Sequence, residues 1–264
     1  MAQTVTAAVL LIGDELLSGR TQDSNLKTIA EFLAPLGVEV REARVVPDVK
    51  ETIVETVNHL RKAWDYVFTT GGIGPTHDDI TADAIAAAFG RSIDVRADAV
   101  EVLTAHYAAR FAGEKGMSAE LNESRLRMAR IPDGADLILN PVSGAPGFCL
   151  ENVFVMAGVP SIMRGMLQDV GHRVRGGDRV HAATVRGRGM REGDIAGALR
   201  KIAEATPDVS LGSYPFMKVL AEGTEFGVNL VARGRDPARV ASAVDALVEL
   251  LVQQGATPEI NPKD

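Results

Sequence analysis

The sequence holds a single cysteine, Cys149, so it forms no internal disulfide and no thiolate-based zinc cluster. That scarcity suits a reducing compartment and predicts a cytoplasmic protein. Basic charge is also short: 28 lysines and arginines against 35 aspartates and glutamates give a net charge of −7 and a pI near 5.3. A field of that sign repels polyanions and argues against nucleic acid as a partner. Long apolar runs are missing. The stretch from Ala7 to Ile12 is far below the roughly 20 residues that span a bilayer, has no basic leader and runs into Asp14 and Glu15. It reads as a buried strand, and no membrane partner is expected.

The common catalytic fingerprints are absent too. There is no Walker lysine and no GxGxxG spacing, and without a Gly-x-Ser-x-Gly elbow a serine hydrolase is disfavoured. His59, His106, His172 and His181 lack metal-ligand spacing, and Cys149, between Phe148 and Leu150 in a strand pattern, reads as a buried inert thiol. No internal repeat or low-complexity tract occurs. With 264 residues, 46% of them hydrophobic, the chain can still bury a real core in one or two domains.

From Thr4 to Gly90 the pattern alternates strand and helix three times. Val5 to Ile12 and Tyr66 to Thr70 are short apolar runs, suited to a parallel sheet covered on both faces. Leu26, Ile29, Ala30 and Leu33 mark one amphipathic helix, capped at Asp23 or Ser24 and stopped at Gly37. Val49, Ile53, Val57 and Leu60 mark another, with Asp48 as cap and Glu51 completing a capping box. Asp98 to Arg130 reads as a helical excursion from the sheet. Asp136 to Asn140 and Val153 to Ala157 read as strands around a Gly- and Pro-dense turn from Pro141 to Gly147, before a helix from Pro160 to about Val170. An arginine-rich, glycine-punctuated segment follows, with a domain boundary near Gly176-Gly177. The arginines from Arg164 to Arg191 supply phosphate or acidic-partner contacts on one reading and a solvated edge on the other. The remainder reads as strand (His181 to Val185), helix (Asp194 to Ala205), two strands (Val209 to Tyr214, Phe226 to Arg233) and a helix from Pro237 to Gln254. The expected architecture is a mostly parallel α/β domain over residues 1–174 and a small α+β domain over 175–264.

In open α/β sheets ligands bind beyond the carboxyl ends of the strands. Two loops stand there, Gly13 to Asn25 and Thr69 to Thr81. In the second, Gly71, Gly72 and Gly74 admit positive φ and let an anion approach backbone N–H groups, and the following helix adds its positive end. Asp78 and Asp79 in the same loop would repel a phosphate unless a divalent cation, magnesium by default, bridges them. Taken singly, the glycines make a tight turn, Asp79 caps a helix and His77 is an exposed loop residue; taken together with Pro75 they favour a ligand loop.

Ile12 to Arg20 with Asp23-Ser24-Asn25, the loop Thr69 to Thr81, Asn140-Pro141 with Ala145 to Phe148, and Gly158-Val159-Pro160 resemble, in order and spacing, the molybdopterin-binding fold family (MoaB/Mog-like), and within it the CinA N-terminal group. Gly212 to Pro215 and Phe226 to Leu230 resemble the small domain that follows in that group. The resemblance implies a three-layer α/β/α domain whose pocket takes a phosphorylated pterin or nucleotide, and a homo-oligomer. For the CinA branch it implies a metal-dependent pyrophosphatase acting on ADP-ribose or FAD-like dinucleotides, with magnesium, manganese or cobalt; for the other branch it implies molybdopterin. It assigns Asp14, Asp78 and Asp79 as cation-holding catalytic residues. Gly13, Ser18, Gly19, Asp23 and Asn25 of the first loop, and Thr70, Gly71, Gly72, Gly74, Pro75, Thr76, His77 and Thr81 of the second, become ligand contacts, with Asn140, Ser143, Gly144, Gly158 and Pro160. Ile73 and Asp78, where molybdopterin enzymes carry threonine and arginine, favour the CinA branch. Ser161-Ile162 stands where the family often has a glutamate, which favours a rival reading: a binding module without turnover. The C-terminal deamidase domain found in that group is not expected here, and the resemblance does not carry its activity.

Overall fold

A computed structural model describes residues 4–110, 121–220 and 223–262. It divides into two compact units, Met1–Asp178 and Arg179–Asp264.

The first unit opens with β1 (Val5–Ile12), α1 (Asp14–Leu17), α2 (Asn25–Leu33), β2 (Val38–Val46), α3 (Lys50–Ala63), β3 (Tyr66–Thr70) and α4 (Thr81–Phe89). It continues through β4 (Ile93–Val95), α5 (Ala97–Arg110), α6 (Glu123–Arg127), β5 (Arg130–Pro132), β6 (Asp136–Ile138), β7 (Gly147–Leu150), β8 (Val153–Met156) and α7 (Pro160–Val170). Six strands make one sheet in the order β2-β1-β3-β8-β7-β6, parallel from β2 to β8 and antiparallel through β7 and β6. The period of two in β1 explains the three layers. Ala8, Leu10 and Ile12 pack into one core with Ile53, Val57 and Leu60 of α3 and Ile85 of α4. Val5, Ala7, Val9 and Leu11 face the other way, onto Ile29 and Leu33 of α2 and Met163 and Leu167 of α7. Both faces of β1 are therefore dry, as a continuous apolar run requires.

The local signals act mostly as read. Asp23, one residue before the N-cap Ser24, accepts from the N–H groups of Asn25 (3.0 Å) and Leu26 (3.1 Å) and so satisfies the first turn of α2. Pro160 opens α7 at its first turn. The expected capping box at α3 does not form: the N-cap is Val49, without a side-chain bond, because the Asp48 carboxylate points to the Asp14 N–H, 3.0 Å away. The helical excursion holds α5 and α6, but Arg130–Pro132 returns as β5 and pairs with β4 in a small antiparallel sheet. The Gly- and Pro-dense turn closes earlier than expected, since Gly147 already begins β7, which forms a hairpin with β8.

Cys149 sits on β7, partly buried, and burial pushes its thiol up to about 11. At pH 8 only about a thousandth of it is thiolate, the form that alkylates. Iodoacetamide is therefore expected to label the native protein slowly and the denatured protein at the ordinary rate, read by mass spectrometry.

The second unit comprises β9 (His181–Arg188), α8 (Glu192–Ala205), β10 (Ser210–Leu220), β11 (Gly223–Gly234), α9 (Pro237–Gln253) and β12 (Pro258–Ile260). Its strands form an antiparallel sheet in the order β10-β11-β9-β12. The apolar stripe of α9, Val240, Val244, Leu247 and Leu251, packs against Val185, Val228 and Leu230 of that sheet. Several arginines of the arginine-rich segment are committed to local partners: Arg173 to Asp169, Arg175 to Asp65, and Arg188 to Glu225 and Glu259.

Candidate functional site

Three neighbouring parallel strands, β1, β3 and β8, end on the same edge of the sheet, followed closely by Gly13, Gly71 and Gly158. Gly71 has φ +107°, and a Cβ there would lie 2.0 Å from the Ile12 carbonyl oxygen. Gly72 has φ +66°, and its Cβ would lie 2.2 Å from the Thr81 hydroxyl. No other residue type fits either place without moving backbone or core. The result is a floor without side chains under a cleft of about 600 Å³. Tyr107 and Met128, packed against one core, and Ile162 and Met166, of the other, line it with apolar surface, and Glu15, Asp48, Asp78 and Asp79 line it as carboxylates.

Of the residues expected to bind ligand, Gly13, Gly71, Gly72, Gly74, Pro75, Asn140, Ser143, Gly158 and Pro160 line this cleft, as do Asp78 and Asp79. Asp14, Ser18, Gly19, Asp23, Asn25, Thr70, Thr76, His77, Thr81 and Gly144 are not among its lining residues. Several of these hold the walls instead. Asn25, buried, donates from Nδ2 to the Gly158 carbonyl (2.7 Å) and so ties α2 to the end of β8. Thr81 donates its N–H to the Gly72 carbonyl at 2.9 Å. His77 is fully exposed, with its side chain at 98%, and Gly144 is packed against the His106 ring. Asn140 lines the cleft but spends its amide on the turn: Nδ2 donates to Ser143 Oγ and the Ala145 carbonyl, and Oδ1 accepts from the Val142 and Ser143 N–H groups.

The aspartates separate by role. Asp79 does not cap α4, whose N-cap is Ile80. Its Oδ2 accepts from the Thr76 N–H (2.8 Å) and hydroxyl (2.6 Å) and braces the glycine loop. Asp14 is exposed and presents its backbone N–H to Asp48. Asp14, Asp78 and Asp79 thus do not converge, and among the described residues no three His, Cys, Asp or Glu side chains are placed to hold a metal ion. Asp48, read from sequence only as a cap, is with Asp79 one of the two half-buried carboxylates of the site. Burial raises Asp48 above the usual carboxylate range; the Asp14 N–H lowers it, and the charges of Asp14, Glu15 and Asp78 push it up again.

Residues 8–175 match the family described as probable molybdopterin binding domain, which is well over half of the chain. The chain belongs to that family. Residues 181–259 match a second family, the middle domain of FAD synthase. A relative from Archaeoglobus fulgidus is 33% identical over 245 residues, covering 92% of this chain and 96% of its own. A CinA-like protein of Citrifermentans bemidjiense is 40% identical over 166 residues, 61% of this chain and 38% of that protein, so the match spans well under half of the CinA-like relative. Among solved structures, the CinA protein of Thermoplasma acidophilum superposes with a TM-score of 0.56 at 31% identity, covering 64% of this chain and 98% of that one. The CinA-type character and the α/β/α architecture expected from the sequence both stand. Among the described residues no helix is long and apolar enough to cross a membrane.

Proposed function

We propose that the cleft binds a phosphorylated nucleotide or pterin and that, with a divalent cation, the protein hydrolyses the diphosphate bridge of a dinucleotide of the ADP-ribose or FAD kind. The observation that carries this reading is one of placement: the side-chain-free turn at Gly71 and Gly72 opens onto the same cleft as the carboxylates of Asp48 and Asp78. Gly71 spends its own N–H on the Met156 carbonyl (3.1 Å), so the turn receives phosphate on the backbone N–H groups from Gly72 to Gly74. The apolar lining of Tyr107, Met128 and Ile162 suits a planar ring.

The donor set fits a cation that arrives with its ligand. Magnesium is commonly held by one or two carboxylates together with substrate phosphates rather than by a protein cage, and Asp48 and Asp78 supply such a pair. When bound, the cation neutralises phosphate charge and makes a water more acidic. Asp79 keeps the glycine loop in shape through Thr76, and Asn140 shapes the facing turn. In the reaction a water oxygen bonds to one phosphorus, the bridging P–O bond breaks, two monophosphates leave and a proton passes to solvent. The match of the second unit to a domain of FAD synthase favours a flavin dinucleotide within this class.

A second reading, a binding module without turnover, is favoured by the lack of a preassembled carboxylate cage among the described residues and by Ser161-Ile162 in place of an acidic residue. One assay separates the two. ADP-ribose, FAD, NAD and ATP are incubated with the protein and magnesium, manganese or cobalt, against an EDTA control. Metal-dependent monophosphate release from one dinucleotide is expected. Ligand-induced thermal stabilisation with no product under any metal would overturn hydrolysis and leave the module; stabilisation by a pterin alone would move the reading to molybdenum-cofactor chemistry.

A further inference from the structure

The cleft poses a problem of charge. Four carboxylates line it, and among the described residues no lysine or arginine does. A second, small cavity of about 20 Å³ lies against the same glycine turn and shares Gly72, Ile73, Gly74, Asp79 and Met128 with the cleft. That volume holds one water and is too small for a phosphate group. Arg127, the last residue of α6, lines it. Its Nη2 donates to the Asp79 carbonyl at 3.5 Å, and its buried Nε has no hydrogen-bond acceptor among the described residues. Arg130 on the same wall is different: both its terminal nitrogens are committed to Asp83, at 2.7 and 2.6 Å. Among the described residues, the wall therefore carries one guanidinium neutralised by a carboxylate and one that is not. Folded proteins leave few buried donors unpaired, and a guanidinium cannot relieve the cost by losing its proton. Arg20, in the first loop, is exposed, donates to Ser18 Oγ and is not among the residues lining the cleft.

We propose that Arg127 is the cationic counterpart of the phosphate held on the Gly71–Gly74 turn, acting from behind the turn through its charge rather than by direct contact. It is a positioning residue: it holds the Asp79 carbonyl and offsets, across one layer of backbone, the negative charge that ligand and carboxylates bring to the cleft. This rests on the reading of the cleft as a phosphate site, and it narrows that reading to ligands that carry phosphate over their uncharged counterparts.

The test is calorimetric binding of ADP-ribose and of inorganic pyrophosphate, with magnesium, to wild type, Arg127→Gln, Arg127→Lys and Arg20→Gln. Arg127→Gln is expected to weaken both ligands by about tenfold. Arg127→Lys, which keeps charge but not the fork, is expected to stay within a few-fold of wild type, and Arg20→Gln to match it. If the glutamine variant does not fold, Arg127→Met, which keeps the aliphatic stem, takes its place. Equal losses in the lysine and neutral variants would reduce Arg127 to a structural brace, and undiminished binding by the neutral variant would remove its role; either overturns the proposal. Failure of the phosphate reading is seen separately, as wild type binding neither ligand.

Discussion

Gly71→Ala is expected to be among the most damaging single substitutions in the large unit. The new Cβ would lie 2.0 Å from the Ile12 carbonyl oxygen, at the point where β1 and β3 run side by side, and the residue would also have to hold φ at +107°. Backbone strain and a backbone collision add here, because neither neighbour is the loose end of a side chain. A loss of about 3–5 kcal/mol, or of soluble protein altogether, is expected. Gly90→Ala is the control. It shares positive φ, at +61°, but has open space around its Cβ, and about 1 kcal/mol is expected there. Urea unfolding of the two variants checks the contrast; equal losses would mean that the close approach of the strands contributes nothing.

Asp48→Asn is expected to separate function from stability. The asparagine Oδ1 still accepts the Asp14 N–H, so the loop connection survives, while a charge facing Glu15 and Asp78 is removed. Metal-dependent turnover should fall by about a hundredfold or more. Stability should move the other way. Burial raises the folded-state Asp48 above its unfolded value, so the group contributes stability at low pH and loses it as pH rises through the folded value. At pH 7 the ionised carboxylate is a cost, and the asparagine variant is expected to melt above wild type. That gap should close as pH falls towards about 4, where unfolded carboxylates protonate. Melting curves between pH 4 and 8 give the answer; a variant less stable than wild type at pH 7 would show that the ionised form of Asp48 is a net structural asset.

How far each feature was legible depended on how local its cause is. β1, β3 and α7 are defined by short apolar runs and a proline, and the glycine loop by three glycines within four residues, all visible without knowing the fold. β4, β5 and β12 have three residues each and exist because a partner strand lies beside them, which no run of three can announce. β7 was partly hidden because Pro146 and Gly147 give a turn signal at the point where the hairpin with β8 begins. Asp48 was misread for the same physical reason. Its carboxylate has a cap-like sequence position, but its partner is 34 residues away, and tertiary geometry outcompeted the local helix terminus. Asp79 took the opposite course: its partner, Thr76, is only three residues away, yet the bond runs back into the loop instead of forward into α4. Arg127 gave no signal, since its meaning comes from its bond to the Asp79 carbonyl, some fifty residues earlier in the chain.

The proposed reaction depends on where a phosphate sits. A crystal structure of the protein soaked with ADP-ribose and magnesium tests this most directly. The diphosphate is expected on the Gly71–Gly74 turn, within hydrogen-bonding distance of the Gly72 to Gly74 N–H groups, with the cation near the Asp48 and Asp78 carboxylates and the adenine against Tyr107. A diphosphate bound at any other edge of the sheet, with the glycine turn empty, would contradict it.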